Sequence, residues 1–138
     1  MAKVLKKECF RIIDANFNRC KEGLRVCEDI CRFVWDDRRQ TRKLKNIRHQ
    51  LTVIVSKLGL AVLVQSRDID GDIGKKTTSL ESKRKNIKDI FYANIQRVKE
   101  SIRVLEELTK LADGKLAENC KNLRYKIYAL EKEVLSRL

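Results

Sequence analysis

An internal repeat is the sequence feature that most limits the folds available to this chain. Residues 15–28 (ANFNRCKEGLRVCE) align with residues 93–106 (ANIQRVKESIRVLE) at an offset of 78 positions, and eight of the fourteen positions are identical. Residues 45–48 (KNIR) likewise match residues 121–124 (KNLR) at an offset of 76. Apolar residues recur at helical spacing in these segments, and the strict alternation of a strand is absent. The sequence therefore predicts two related helical hairpins.

The predicted fold class is all-α, a bundle of two internally repeated antiparallel helical hairpins with four main helices. The expected helices cover residues 4–34, 38–58, 86–111 and 115–138. An extra short helix near residues 60–66 is left open, and a long central loop is expected over 66–85. The chain is predicted to be a single helical domain, made of repeat one (1–65), the loop and repeat two (86–138). It contains no proline, which favours long uninterrupted helices.

The charge of the chain favours anionic ligands. Lys and Arg number 32 against 19 Asp and Glu, a formal net charge of +13. Residues 38–67 include eight basic residues and no acidic one. The aromatic side chains that interleave with cations in single-strand binders are missing there, and no recognition-helix pattern appears. Small phosphate-rich ligands are therefore expected in preference to nucleic acid.

The five cysteines and the N-terminus indicate a cytoplasmic protein. The cysteines form no Cys-x-x-Cys pair, and the sequence MAKVLKKECF lacks the apolar segment of a secretory leader. Disulfides are therefore not expected, and no membrane association is expected either. The spacing of Cys20, Cys27 and Cys31 on one helix favours small core residues over metal ligands.

Two polar residues recur in the first helix of each hairpin. With Asn16 taken as the origin of a helical wheel, apolar residues spread over half the helix, and Asn16 and Arg19 fall inside that arc. Asn94 and Arg97 occupy the equivalent places in repeat two. All four side chains are therefore predicted to face the interior.

A buried guanidinium needs a partner, and the sequence leaves two arrangements open. In the first, Arg19 and Arg97 pair internally with Glu22 and Glu100 at the edge of the arc. In the second, the repeated set lines a cleft for an anionic ligand, because the guanidinium fork matches phosphate. Two outward pairs at i, i+3 are expected to be weak surface ion pairs: Arg25–Glu28 and Arg103–Glu106.

The central loop carries a second set of candidate residues. Asp68 and Asp72 offer the oxygen ligands that Mg²⁺ prefers, and Gly74 with Lys75 could cradle phosphate oxygens. The segment is not a Walker loop, because the glycine spacing differs and no strand precedes it. A polar linker without a binding role is the alternative interpretation.

Four segments together resemble a known family: RIIDANFNRCKEGLRVCEDICRFVWDD, KNIRHQL, SRDIDGDIG and ANIQRVKESIRVLEEL. They are similar to the helical domain fused N-terminal to thiamine-phosphate synthase in some bacteria. That family is described as a hydroxymethylpyrimidine phosphate kinase. The resemblance implies an ATP-dependent, Mg²⁺-requiring enzyme of thiamine biosynthesis, which transfers the γ-phosphoryl group of ATP to the pyrimidine monophosphate and yields the diphosphate.

Phosphoryl transfer brings several negatively charged groups close together. Cationic side chains and Mg²⁺ are therefore expected to supply most of the catalysis by neutralising that charge. On that expectation, the candidate catalytic residues are Arg19, Arg97, Arg67 and Asp68. The candidate substrate- and phosphate-binding residues are Asn16, Asn94, Arg48, Arg124, Gly74 and Lys75. The candidate metal ligands are Asp68, Asp72, Glu22 and Glu100.

The resemblance also implies partners. The expected ligands are the pyrimidine monophosphate and ATP. The 138 residues leave no room for a synthase barrel, so a separately encoded thiamine-phosphate synthase is an expected partner, and the chain is expected to form a homo-oligomer, a dimer. The alternative is a non-catalytic helical scaffold or dimerisation module associated with that synthase. A nucleic-acid-binding helical protein is a third, less favoured alternative.

Overall fold

A computed structural model describes residues 5–76 and 83–138, and within these ranges the chain forms helices and turns without any strand. The helices are α1 (Lys7–Asp29), α2 (Arg38–Ser56), α3 (Leu60–Gln65), α4 (Ile87–Thr109) and α5 (Gly114–Leu135). The all-α prediction is confirmed, including the short helix near residue 60. The central loop forms turns at 66–76. Residues 77–82 of that loop, and residues 1–4, lie outside the described residues.

The connection between α1 and α2 follows from the acidic pair in the sequence. A π-helical turn, Ile30–Val34, extends α1, and the backbone N–H of Trp35 donates to the carbonyl of Ile30 at 3.1 Å. Asp36 then adopts a positive φ of 49°, which breaks the helix. The carboxylate of Asp37 accepts the backbone N–H of Gln40 at 3.0 Å and so caps α2.

The four long helices form a closed four-sided bundle, in which α1 and α5 each pack against both α2 and α4. The α1–α4 pair is antiparallel. The Sγ of Cys20 lies 3.9 Å from the carbonyl oxygen of Val98, and the Sγ of Cys27 lies 3.8 Å from that of Phe91. Each hairpin therefore packs its first helix against the first helix of the other hairpin.

The sequence repeat corresponds to a symmetry in the arrangement of the helices. Cys20 and Val98 touch and are 78 positions apart, which is the offset of the first-helix repeat. On the opposite side of the bundle, the Nζ of Lys126 donates to Oε1 of Gln50 at 3.1 Å, and these residues are 76 positions apart. A residue can contact its own repeat equivalent only near the axis that relates the repeats. A pseudo-twofold axis therefore crosses the bundle through both contacts.

A close approach of α1 to α4 depends on small residues. A Cβ added to Gly23 would lie 2.8 Å from Cγ2 of Val98 and 3.0 Å from the carbonyl oxygen of Asn94. The repeat equivalent of Gly23 is Ser101, which is buried and donates its hydroxyl to the carbonyl of Arg97 at 2.6 Å.

The core contains the cysteines predicted as core residues. Cys20, Cys27 and Cys31 are fully buried among apolar side chains, and so is Cys120. This confirms that they serve as small core residues. None of the helices formed by residues 5–76 and 83–138 is long and apolar enough to cross a membrane.

Candidate functional site

A groove of about 530 Å³ runs along the outer side of α1 where the segment after α3 approaches it. We call it the α1 groove. Five of the residues proposed from the sequence line it: Asn16, Arg19, Arg67, Asp68 and Asp72. They come from two parts of the chain that are about fifty residues apart, so the fold brings the repeated polar residues and the central loop into one site.

The ion pair between Arg67 and Asp14 joins the loop to α1. Nη2 of Arg67 donates to Oδ1 of Asp14 at 3.0 Å, and Nε donates to the other carboxylate oxygen. Asp14 is 5% exposed, whereas the side chain of Arg67 is 40% exposed. The hydrogen bond to Asp14 raises the pKa of the Arg67 guanidinium. The buried carboxylate thus fixes the start of the loop and presents a guanidinium at the groove.

Asp14 was not identified from the sequence. Its repeat equivalent is Tyr92, so a comparison restricted to identical positions passes over it. The signal that could have found it is its position two residues before the repeated Asn16, as a charged residue that only repeat one carries.

Asn16 and Arg19 lie side by side on the groove. Asn16 is buried, and its Nδ2 donates to the carbonyl of Ile12 at 2.9 Å, while its Oδ1 accepts Nη1 of Arg19 at 3.5 Å. Arg19 itself is exposed. The prediction that Arg19 faces the interior is wrong, because a long side chain at the edge of the apolar arc extends past it to water.

The aspartates of the loop form tight turns. Oδ1 of Asp68 accepts the backbone N–H of Gly71 at 2.9 Å, and Oδ1 of Asp72 accepts that of Gly74 at 2.9 Å. A Cβ at position 71 would displace the Asp68 carboxylate from this turn. These turns hold both carboxylates at the edge of the α1 groove.

The α1 groove carries charges of both signs. Arg11, Arg19 and Arg67 supply positive charge, and the carboxylates on the lining are those of Glu8, Asp14, Asp68 and Asp72. Asp14 is already paired with Arg67. The groove therefore suits a ligand that has an anionic group for the arginines and hydrogen-bond donors for the carboxylates.

Arg48 and Arg124 take part in buried ion pairs between the helices of each hairpin. Nε of Arg48 donates to Oε1 of Glu28 at 3.0 Å, and Nη2 of Arg124 donates to the carboxylate of Glu106 at 3.2 and 3.3 Å. The predicted pairs Arg25–Glu28 and Arg103–Glu106 are present, at 3.7 and 3.2 Å, but the expectation that they lie outward at the surface is wrong for the glutamates, since both are buried. The second helix supplies the arginine that allows this burial, and a helical wheel of the first helix alone cannot include it.

The repeat-two equivalents lie away from the α1 groove. Nδ2 of Asn94 donates to the carbonyl of Ile90 at 2.8 Å. Arg97 is exposed, so the prediction of an interior position is wrong for it as well. Among the described residues, no ion pair joins Arg19 or Arg97 to Glu22 or Glu100. The internal network that the sequence left open is therefore replaced by the Glu28 and Glu106 pairs.

The remaining candidates are scattered. Glu22 lines a shallow groove with Arg25 and Arg48, and Glu100 is exposed on α4. Gly74 and Lys75 are exposed in the loop. In the part of the chain that the structure describes, no three His, Cys, Asp or Glu side chains are grouped closely enough to hold a metal ion. Of the four proposed metal ligands, only Asp68 and Asp72 share a site, and Mg²⁺ binding stays a prediction.

The fold and the groove define a duplicated helical-bundle domain with a mixed-charge site between its first helix and the central loop. The chain belongs to the ThiD2 family, which matches residues 11–133.

The chain is similar to three curated bacterial proteins. It is 39% identical over 127 residues to the thiamine-phosphate synthase of Nostoc punctiforme, covering 91% of this chain and 35% of that protein. It is 40% identical over 126 residues to that of Synechocystis (91% and 36%) and 36% identical over 135 residues to that of Rhodopirellula baltica (97% and 36%). The chain thus spans about a third of the length of these relatives. No solved structure matches it.

These relatives correct the expected enzyme class. The resemblance implied a hydroxymethylpyrimidine phosphate kinase, but all three relatives are named thiamine-phosphate synthase. The resemblance to a helical domain found with that synthase agrees with the comparison, whereas the assignment of the chain as the kinase does not.

Proposed function

We propose that this chain is a helical domain of thiamine biosynthesis that binds a phosphorylated pyrimidine in the α1 groove and works together with a thiamine-phosphate synthase. The observation that carries the proposal is the convergence of Asn16, Arg19, Arg67, Asp68 and Asp72 on one groove. The names of the relatives support the pathway and the synthase as partner.

The chemistry of the groove fits such a ligand. A guanidinium pairs with phosphate oxygens through two parallel N–H donors, and Arg19 and Arg67 are both exposed enough to do so. Asp68 and Asp72 each commit one carboxylate oxygen to a turn, which leaves the other to accept a ring amino group. Asp14 acts through Arg67 and holds its guanidinium in place.

Calorimetric titration tests the proposal with hydroxymethylpyrimidine monophosphate and, in parallel, with the unphosphorylated pyrimidine. Arg19→Gln should weaken binding of the monophosphate by roughly 10- to 100-fold, because a hydrogen bond to a charged group contributes about 1.5–3 kcal/mol. Arg97→Gln is the matched control: it changes the repeat equivalent, which is exposed and lies outside the groove, and should change the affinity less than twofold. Equal losses in the two variants, or no saturable binding, would contradict the proposal.

A second candidate function is a scaffold that self-associates or docks onto the synthase. The observation favouring it is a set of exposed apolar side chains on and after α3: Val62, Val64, Ile69 and Ile73. Sedimentation of the chain with and without Val62→Ser and Val64→Ser tests it, since a scaffold interface of this kind would be lost in the double variant.

A further inference from the structure

A second groove lies in repeat two, between the second half of α4 and the first half of α5. It has a volume of about 580 Å³, and we call it the α4–α5 groove. Its cationic lining residues are Arg103, Lys110, Lys121 and Arg124, with Tyr125 beside them. None of these side chains lines the α1 groove, so the feature is separate from the site described above.

The two repeat-related ion pairs differ in how their arginines are used. Arg48 donates both Nε and Nη2 to Glu28, at 3.0 and 3.5 Å. Arg124 instead reaches Glu106 through Nη2 alone, and its Nη1 contacts the Tyr128 hydroxyl at 3.5 Å. Arg124 therefore contacts the buried glutamate of repeat two with a single amino group of its guanidinium, and Arg103 supplies a further contact to the same carboxylate at 3.2 Å.

This difference leaves a donor free. The Nε of Arg124 has no hydrogen-bond partner among the described residues, although Arg124 is only 8% exposed. A buried charged group with an unsatisfied donor is costly, and the great majority of such donors are paired in native proteins. Arg124 lines the groove, and because its Nε is shielded from water, a ligand there would accept this N–H once the side chain turns towards the groove.

The surroundings of Arg124 favour an anion. Four cations line the groove against the two carboxylates Glu106 and Glu118. Glu106 is paired with Arg124 and Arg103, and Lys110 is paired with Glu107 at 2.8 Å, which leaves Lys121 as the cation without an ion pair among the described residues. The guanidinium carbon of Arg124 lies 5.2 Å from the centre of the Tyr125 ring, and the Nζ of Lys121 lies 5.9 Å from it. Two of the cations that line the groove therefore contact the same aromatic ring.

We propose that the α4–α5 groove is a second binding site for a small phosphate-bearing anion, with the Nε–H of Arg124 as its buried donor and Arg103 and Lys121 as its outer cations. The site goes beyond the proposed function, because it involves a different groove in a different repeat. It is specific to repeat two, since the equivalent Arg48 has no spare Nε donor.

Nuclear magnetic resonance of the arginine Nε–H groups tests the site, with inorganic pyrophosphate as the probe at constant ionic strength. The Arg124 signal should shift in a saturable way, while the Arg48 signal should not move. Inorganic phosphate and the pyrimidine monophosphate, titrated separately, distinguish a free anion from a phosphate ester as the source of the bound group.

The two repeats supply a test variant, Lys121→Gln, and a matched control at the equivalent position, Lys45→Gln. Lys121→Gln should weaken the pyrophosphate response at Arg124 by about tenfold, as expected for the loss of one charged contact. Lys45→Gln changes the equivalent residue of repeat one and should alter the response less than twofold. Equal effects of the two substitutions, or a linear and unsaturated shift at Arg124, would overturn the proposal. The Arg19 and Arg67 signals report the α1 groove independently, so failure of one site is distinguishable from failure of the other.

Discussion

Arg48 and Glu28 join α2 to α1 through a buried ion pair, with Nε of Arg48 3.0 Å from Oε1 of Glu28 and both side chains largely shielded from water. Removal of one partner leaves the other as an unpaired buried charge. Glu28→Gln should therefore lower the free energy of unfolding by about 3–5 kcal/mol, measured by urea denaturation. Glu22→Gln, on an exposed position of the same helix, should change it by less than about 0.5 kcal/mol.

The double variant Glu28→Met with Arg48→Met distinguishes the effect of an unpaired charge on stability from the effect of a changed side chain at these positions. Apolar replacement of both partners removes the buried charges together, so it should recover most of the stability lost in Glu28→Gln. A double variant as unstable as the single one would show that the ion pair is not the cause.

Any side chain introduced at position 23 should lower the free energy of unfolding. Gly23→Ala places a Cβ 2.8 Å from Val98 and 3.0 Å from a backbone carbonyl oxygen of α4. We expect a loss of about 1–3 kcal/mol from overpacking, partly offset by the higher helix propensity of alanine. Gly114→Ala is the control, because a Cβ there meets nothing within 4 Å, and it should leave the melting temperature unchanged or slightly raised. An equal response of the two positions would contradict close α1–α4 packing.

Asp14 should influence binding only through Arg67. Asp14→Asn is expected to weaken binding of the pyrimidine monophosphate several-fold, and by less than Arg67→Gln does. The double variant should bind no more weakly than Arg67→Gln alone, because the two residues act as a unit. Calorimetry of the three variants measures this coupling, and additive losses would show that Asp14 contacts the ligand itself.

The buried cysteines should be inert to thiol reagents in the folded state. Burial raises the pKa of Cys20 and Cys31 to about 12 and that of Cys120 to about 11, and it also raises the pKa of Cys27. At pH 8, iodoacetamide should therefore modify only the half-buried Cys9, as read by mass spectrometry, and all five cysteines after denaturation. Rapid modification of any of the four buried cysteines in the folded protein would be inconsistent with this packing.

The same pKa shifts predict how stability depends on pH. A thiol whose pKa is raised in the folded state binds its proton more tightly there than in the unfolded chain. Its stabilisation is complete below the ordinary thiol pKa of about 9 and is lost as the pH rises from there towards 11–12. Urea denaturation at a series of alkaline pH values should show the free energy of unfolding falling across this window.

ATP and Mg²⁺ stay predictions, and thermal shift measurements test the binding of Mg²⁺. If Asp68 and Asp72 hold Mg²⁺ next to the ligand phosphate, adding Mg²⁺ together with the pyrimidine monophosphate should raise the melting temperature more than the sum of the separate additions. Asp72→Asn should remove that extra rise. Glu100→Gln, at an exposed position on α4, should retain it.

Much of the architecture follows from the sequence because repeats and helical periodicity are local signals. The offsets of 78 and 76 predicted two hairpins, and the same offsets reappear as the contacts Cys20–Val98 and Gln50–Lys126. The site was predicted less completely. Asn16 was placed correctly on a buried face, but Arg19 was placed on the wrong side, because a helical wheel gives the direction of a Cβ and not the end of a long side chain.

The sequence by itself determined the all-α class, the duplication and the core positions of Cys20, Cys27 and Cys31, since each depends on residue type and spacing along the chain. Only the tertiary structure decided that Arg48 and Arg124 bind Glu28 and Glu106, that Asp14 holds Arg67, and that the loop joins α1 in one groove. The physical reason is that a charged side chain pairs with whichever opposite charge lies close to it on a neighbouring helix, and the packing of the helices sets that distance. In a repeated chain, several equivalent partners are available until packing brings one of them within hydrogen-bond range.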